Sequence, residues 1–184
     1  MFTALLVFGL IFVAPIGGTI WFVSWRSRVR AERQRGPWTA VAQKLGGKFT
    51  PATGFFGGNR IEIPRPHAQV VLETAVISRI EAFATTYHPD GGTYTHARAA
   101  YAGGDGPMLK LSQFELDHEP LCAGIPSARG IPAEARIFSR PHEVIVVMPG
   151  AVIDTAALEA AAEFVSTVAE RVAAAGEAVR ERAP

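Results

Sequence analysis

One cysteine in 184 residues leaves no partner for a disulfide within the chain, and it removes every zinc pattern built on paired cysteines. The sequence also lacks HExxH, GxSxG and a glycine loop ending in Lys-Ser or Lys-Thr. The local signatures of zinc proteases, serine hydrolases and phosphate-loop enzymes are therefore missing. The most consequential absence is one of charge. Residues 1–25, MFTALLVFGLIFVAPIGGTIWFVSW, contain no Asp, Glu, Lys or Arg, and five arginines follow within the next ten positions.

A helix of that length reaches about 37 Å, against a bilayer hydrocarbon core of about 30 Å. Residues 1–25 are thus predicted to form a transmembrane helix. A secretory leader would open with basic side chains and carry small residues around its cut site. Here only the terminal amine precedes the apolar run, Phe12 stands where a small residue belongs, and Pro15 would follow the cut. Trp21 and Trp25 lie toward the arginine end, where amphipathic rings favour the headgroup layer. Ala14 and Gly18, one helical turn apart, offer a flat face for a helix–helix contact with a neighbouring span. Pro15, Gly17 and Gly18 also invite a kink in the middle of the helix.

Arg26, Arg28, Arg30, Arg33 and Arg35 are opposed only by Glu32. Together with Trp21 and Trp25 they form the predicted membrane-interface set. The positive-inside bias keeps this end cytoplasmic and sends the N-terminus outward, which places a single-pass protein in the inner (cytoplasmic) membrane with its soluble domain inside the cell. The lone Cys122 agrees with a reducing compartment. Charge divides unevenly along the chain. Residues 26–48 carry seven basic side chains and one acidic, a net of +6; residues 49–184 carry 11 basic and 16 acidic, a net of −5. An acidic body argues against nucleic acid as a partner, because such binding needs basic residues on the body itself.

The remaining sequence reads as a basic juxtamembrane segment, 26–36, followed by one soluble domain, 37–184. Gly36-Pro37 marks the boundary: proline opens a helix well, and Trp38, Val41, Ala42 and Leu45 recur at helical steps up to Gly46-Gly47. Strand-like runs cover 60–63, 69–77, 94–101, 108–114, 135–138 and 143–148. The sequence GGDGP at 103–107 is suited to a hairpin between the third and fourth of these. The run EVIVVM, 143–148, predicts a central strand. Asp154 can cap a long final helix whose stripe runs through Leu158, Ala161, Val165, Val168, Val172, Ala175 and Val179. Such a small, alanine-rich stripe fits a helix lying on a sheet better than a free coiled coil. The predicted fold class is α+β: one N-terminal transmembrane helix, then a mostly antiparallel sheet packed by an N-terminal amphipathic helix and the long C-terminal helix.

Two polar clusters stand out. FELDHEPLC brings Glu115, Asp117, His118, Glu119 and Cys122 close in sequence, and all are metal-ligating types in principle. Strand-like alternation would put the three carboxylates on one face and His118 on the other. A Cys122–His118 nucleophile pair would need a geometry that Pro120 does not imply. The second cluster surrounds the turn at 89–92, with His88 before it and Tyr94, His96 and Arg98 on one face of the strand after it. Neither has the spacing of a catalytic or metal centre, so no catalytic residue, metal ligand or cofactor is predicted. The expected function is a non-catalytic protein-interaction or accessory subunit of a larger membrane complex, with the lipid bilayer and other complex subunits as partners. The competing expectation is a membrane-tethered enzyme or metal-binding domain using the Glu115–Cys122 cluster.

Overall fold

In a computed structural model of the chain, the backbone is described for residues 2–53, 57–79, 81, 88, 90–101, 109–112, 115–116, 119–140 and 142–182, and side chains for these except 2–15, 109, 110, 112 and 176–182. The described residues form an α+β fold: two long helices and an antiparallel sheet. Helix α1 spans Phe2–Leu45 and helix α2 spans Thr155–Arg182. The strands are β1 (Lys48–Thr50), β2 (Arg60–Pro64), β3 (Ala68–Ile77), β4 (Gly92–Tyr101), β5 (Leu109–Ser112), β6 (Arg136–Arg140) and β7 (Glu143–Pro149). They join in the order β1-β2-β3-β4-β7-β6-β5, with every pairing antiparallel.

Period-two alternation sets the two faces of this sheet. On β3, Ala68, Val70, Leu72 and Thr74 point to the helices; on β4, Ala97, Ala99 and Tyr101 do the same, with Val70 opposite Ala99 and Leu72 opposite Ala97. Small side chains on β4 leave room for α2, which packs chiefly across β4 and β3. Leu158, Ala161, Val165, Val168 and Val172 are buried there, together with Phe164. The helix stripe therefore lies on its own sheet as far as Val172; Ala175 is exposed, and the Val179 side chain lies outside the described residues. Close approach continues at the 3-10 turn Pro126–Gly130, where a Cβ on Gly130 would stand 2.6 Å from that of Ala160. A side chain at Gly130 would push that turn off the helix.

Three expectations change. First, Gly36-Pro37 does not break the chain into two helices: α1 is one element of 44 residues, about 66 Å long. Proline inside a helix sacrifices a backbone hydrogen bond and costs about 3 kcal/mol. Packing on both sides of it supplies the compensation. Gln34 and Trp38, one turn apart and flanking Pro37, both donate to the carbonyl of Val152, at 3.3 Å and 2.9 Å. Second, the strands on either side of GGDGP, β4 and β5, do not pair with each other; residues 103–107 themselves lie outside the described residues. β4 is paired on its two edges by β3 and β7, and β5 pairs with β6. Third, residues 115–116 form a 3-10 turn and 119–124 a set of turns, so the expected strand alternation of Glu115, Asp117 and Glu119 does not exist for the described members. The EVIVVM run is β7, seated between β4 and β6 as a central strand.

The predicted transmembrane helix, 1–25, falls largely on residues whose side chains are outside the described set. Among the described residues, no helix is long and apolar enough to cross a membrane. Ala14 of the expected helix–helix contact is likewise outside them. Gly18 is within them, on α1, and a Cβ there would meet nothing within 4 Å.

Candidate functional site

The residues that carry the distinctive chemistry of this chain sit where α1 leaves the domain. Ile16, Ile20, Trp21, Phe22, Val23 and Trp25 are all large, apolar and exposed. Soluble surfaces tolerate such residues singly, whereas a continuous group of six on one helix marks a surface meant to be covered. The rings of Trp21 and Trp25 stack at 6.4 Å, and Arg26 sits 5.8 Å over the Phe22 ring.

The arginine belt that follows divides between two flanks of the helix. Steps of four and three align Arg26, Arg30 and Arg33; a step of seven aligns Arg28 and Arg35 elsewhere. The first three, with Trp25, Val29 and Ile153, line a groove of about 370 Å³ between α1 and the β7–α2 connection. Arg30 donates to Thr93 Oγ1 at the start of β4, which holds its guanidinium against the domain. On the other flank Arg35 makes only an exposed contact of 3.8 Å with Glu32.

Behind this belt the helix is fastened to the domain by a buried polar network. Gln34 Nε2 donates to Thr74 Oγ1 at 2.9 Å, and Asn59 Nδ2 donates to the Ala31 carbonyl at 3.1 Å. Asn59 Oδ1 accepts from the Ala52 backbone, and Thr95 Oγ1 accepts from the Val152 backbone while donating to the Gly150 carbonyl. Gln34, Asn59, Thr74 and Thr95 are all buried. Satisfied networks of this kind fix one arrangement, because any alternative strands a polar group away from water. Segment 26–36 is thus continuous with the core helix rather than a spacer before it. Gln34 and Asn59 were not foreseen in the sequence. Gln34 had a signal: it lies one turn before Trp38 on the stripe that continues through Val41 and Leu45.

On the sheet face away from the helices, Tyr94, His96 and Arg98 do share one side of β4, as their alternation implies. Glu73 stands opposite His96 on β3. Its carboxylate contacts Arg98 at 3.2 Å, Arg60 at 3.7 Å and His96 Nδ1 at 4.0 Å. His88 reaches in from the segment before β4, with its Nε2 2.9 Å from that of His96 and its ring 4.6 Å from Tyr94. The polar contact with His96 holds the Glu73 carboxyl below its ordinary value; burial opposes this, and Arg98, the His96 charge and Arg60 reinforce it. Burial lowers His88, the His96 charge lowers it further, and Glu81 pulls the other way.

Two imidazole nitrogens 2.9 Å apart can share one proton but cannot both carry one. Because the folded His88 value lies below its ordinary 6.5, the unfolded chain binds more protons in that interval. Stability is therefore intact above about pH 6.5 and falls as the pH drops through the folded value. The lowered Glu73 value adds a second loss at lower pH, beginning below its ordinary 4.5. In urea unfolding of the full chain in detergent, the midpoint should decline as the pH falls below the ordinary histidine value of 6.5, and His88→Gln should flatten that decline. A midpoint insensitive to pH there would refute the lowered His88 value.

Of the Glu115–Cys122 cluster, Glu119 and Cys122 are brought together by a bond of 2.9 Å from the Cys122 backbone N–H to the Glu119 carbonyl. Glu115 is exposed, Cys122 is buried, and Asp117 and His118 lie outside the described residues. Burial, reinforced by Glu119 and opposed by Arg171, pushes the Cys122 thiol up to about 11. At neutral pH that sulfur is protonated and a poor nucleophile. Among the described residues, no group of three or more His, Cys, Asp and Glu side chains could hold a metal ion. The chain matches no protein-family model, no curated protein and no solved structure.

Proposed function

We propose that this protein is a single-pass, membrane-anchored interaction or accessory subunit, whose α+β domain is held at a set orientation to brace a partner in a membrane complex. One observation carries the reading. The helix that presents exposed Ile16, Ile20, Trp21, Phe22, Val23 and Trp25 is the same helix that buries Gln34 and Trp38 in the domain. A flexible tether would need a break between anchor and domain; a continuous helix instead transmits orientation. The charge-free run 1–25, the arginines after it and the net −5 of residues 49–184 fit a domain held at the headgroups by its belt and repelled elsewhere by an anionic leaflet.

In this reading the bilayer and other complex subunits are the partners, the domain faces the cytoplasm, and no catalytic step is assigned. The protein should stay in the membrane pellet through carbonate extraction. Alkaline phosphatase fused after Pro184 should be inactive, while a fluorescent protein at the same place should be bright. Strong phosphatase activity would reverse the orientation, and release by carbonate would remove the anchor. Gly18 supplies a test of the partner. Because a Cβ there meets nothing within 4 Å among the described residues, Gly18→Leu should leave domain stability unchanged while loosening any neighbouring span that packs on the Ala14–Gly18 face. Native purification reads the result: a stoichiometric membrane partner from wild type, reduced or lost in Gly18→Leu. Undiminished recovery from the variant would leave the span as a tether only.

A further inference from the structure

We infer that the groove between α1 and the β7–α2 connection binds the phosphodiester headgroup of an anionic phospholipid, held by Arg26, Arg30 and Arg33. The lipid site rests on the membrane-anchor reading and adds a discrete ligand to it.

Three arginines on one helix flank repel one another, and that arrangement is favourable only beside an anion. Among the described residues, no carboxylate stands within ion-pair distance of any of the three; the belt's one ion pair, Arg35–Glu32, is on the other flank. The lining of the groove contains no acid, and the carboxylate of Asp154, next to Ile153 in sequence, accepts from the backbone N–H of Ala156 at the start of α2. A guanidinium offers five N–H donors in a planar fork that matches phosphate oxygens. Arg30 is already oriented by its bond to Thr93, so part of the ordering cost is met before any ligand arrives.

The other lining residues match the rest of a lipid. Trp25, Val29 and Ile153 give the groove an apolar side, and Ile153 is 55% exposed, an unfavourable position for isoleucine facing water. A glycerol backbone beneath the phosphate would cover it. The level is also right. With residues 1–25 in the bilayer, Trp25 lies at its boundary and the next two turns of helix occupy the headgroup layer. The Cα–Cβ bonds of a helix tilt toward its N-terminus, so Arg26 and Arg33 leave α1 on the membrane side, while Arg30 is held at the domain wall by Thr93. A free inorganic phosphate would satisfy the arginines but leave the apolar side uncovered, which is why the lipid is the assigned occupant.

The test uses the full chain purified in detergent and titrated with dioctanoyl phosphatidylglycerol, with bound lipid counted by native mass spectrometry. Dioctanoyl phosphatidylcholine and inorganic phosphate serve as comparison probes. Two variants remove the same charge from different flanks: Arg26→Gln with Arg33→Gln, and Arg28→Gln with Arg35→Gln. Ile153→Glu places a carboxylate in the groove from the domain side. Phosphatidylglycerol should bind wild type in preference to phosphatidylcholine. The first pair and Ile153→Glu should each weaken it about tenfold or more, and the second pair less than about threefold. Equal losses from both arginine pairs would mean a diffuse basic belt and would overturn the site. So would displacement of the lipid by equimolar inorganic phosphate, or an Ile153→Glu protein that binds as wild type does. Membrane fractionation of the same variants separates the two readings. Wild type absent from the membrane overturns anchor and site together, whereas wild type in the membrane with flank-indifferent lipid binding overturns the site alone.

Discussion

Val168→Asp should unfold the domain. Val168 lies at 2% exposure in the middle of α2, inside the single large core that also holds Phe164, Leu72 and Ala97. An unpaired carboxylate in that position must be protonated, hydrated or expelled, and each route costs several kcal/mol. Whole-domain stability is only about 5–15 kcal/mol. The expected result is loss of a cooperative unfolding transition and rapid proteolysis within the sheet. Ala174→Asp on the exposed side of the same helix supplies the control, and it should stay within about 1 kcal/mol of wild type, the scale of helix propensity alone. If Val168→Asp were instead protease-resistant and deficient only in partner binding, the stripe would belong to an interface and the packing of α2 on its sheet would be wrong.

The burial of Val168 is legible in the amino-acid sequence because α2 and the strands speak through periodicity. Leu158, Ala161, Val165, Val168 and Val172 repeat at helical steps, and burial follows them. Strand runs are legible for the same reason: residues alternating between two environments leave a period of two. Pairing is not legible. GGDGP at 103–107 signals a change of direction, but which strand takes each edge of β4 depends on β3 and β7, which carry no local mark of their preference. The Gly36-Pro37 junction misleads in the opposite sense. Local propensity argues for an ending there, and tertiary contacts from Gln34 and Trp38 to one carbonyl of the β7–α2 connection override it. In the candidate site, the arginines and tryptophans are visible as a composition shift. Their division into two flanks follows from spacing, whereas the groove requires Ile153, far away along the chain, and only folding brings it there. The contact between His88 and His96 shows the same limit. Both are noticeable around their turn, but a 2.9 Å approach depends on where folding sets His88 against β4.

Trp38→Ala should detach α1 from the domain, and its effect should rival that of Val168→Asp. The indole is fully buried and its Nε1 donates to the Val152 carbonyl at 2.9 Å. Removing a buried tryptophan side chain costs about 3–5 kcal/mol through lost transfer energy and the cavity left behind. The hydrogen bond adds about 1 kcal/mol. Beyond its size, the loss falls at a particular place. Pro37 already weakens the helix beside this residue, so without the indole the Gln34 contact alone would hold the turn to the β7–α2 connection. The expected outcome is a lower urea midpoint together with new tryptic cleavage among Arg26–Arg35, where wild type should resist because the helix is docked. Trp38→Phe distinguishes packing from hydrogen bonding. It retains most of the bulk, so it should lose about 1–2 kcal/mol and keep the arginines protected. On the proposed reading, Trp38→Ala protein should still fractionate with the bilayer, since residues 1–25 are untouched, but should lose any stoichiometric partner that depends on a set orientation of the domain. A Trp38→Ala protein that keeps both its protease resistance and its partner would show that orientation is not transmitted through α1.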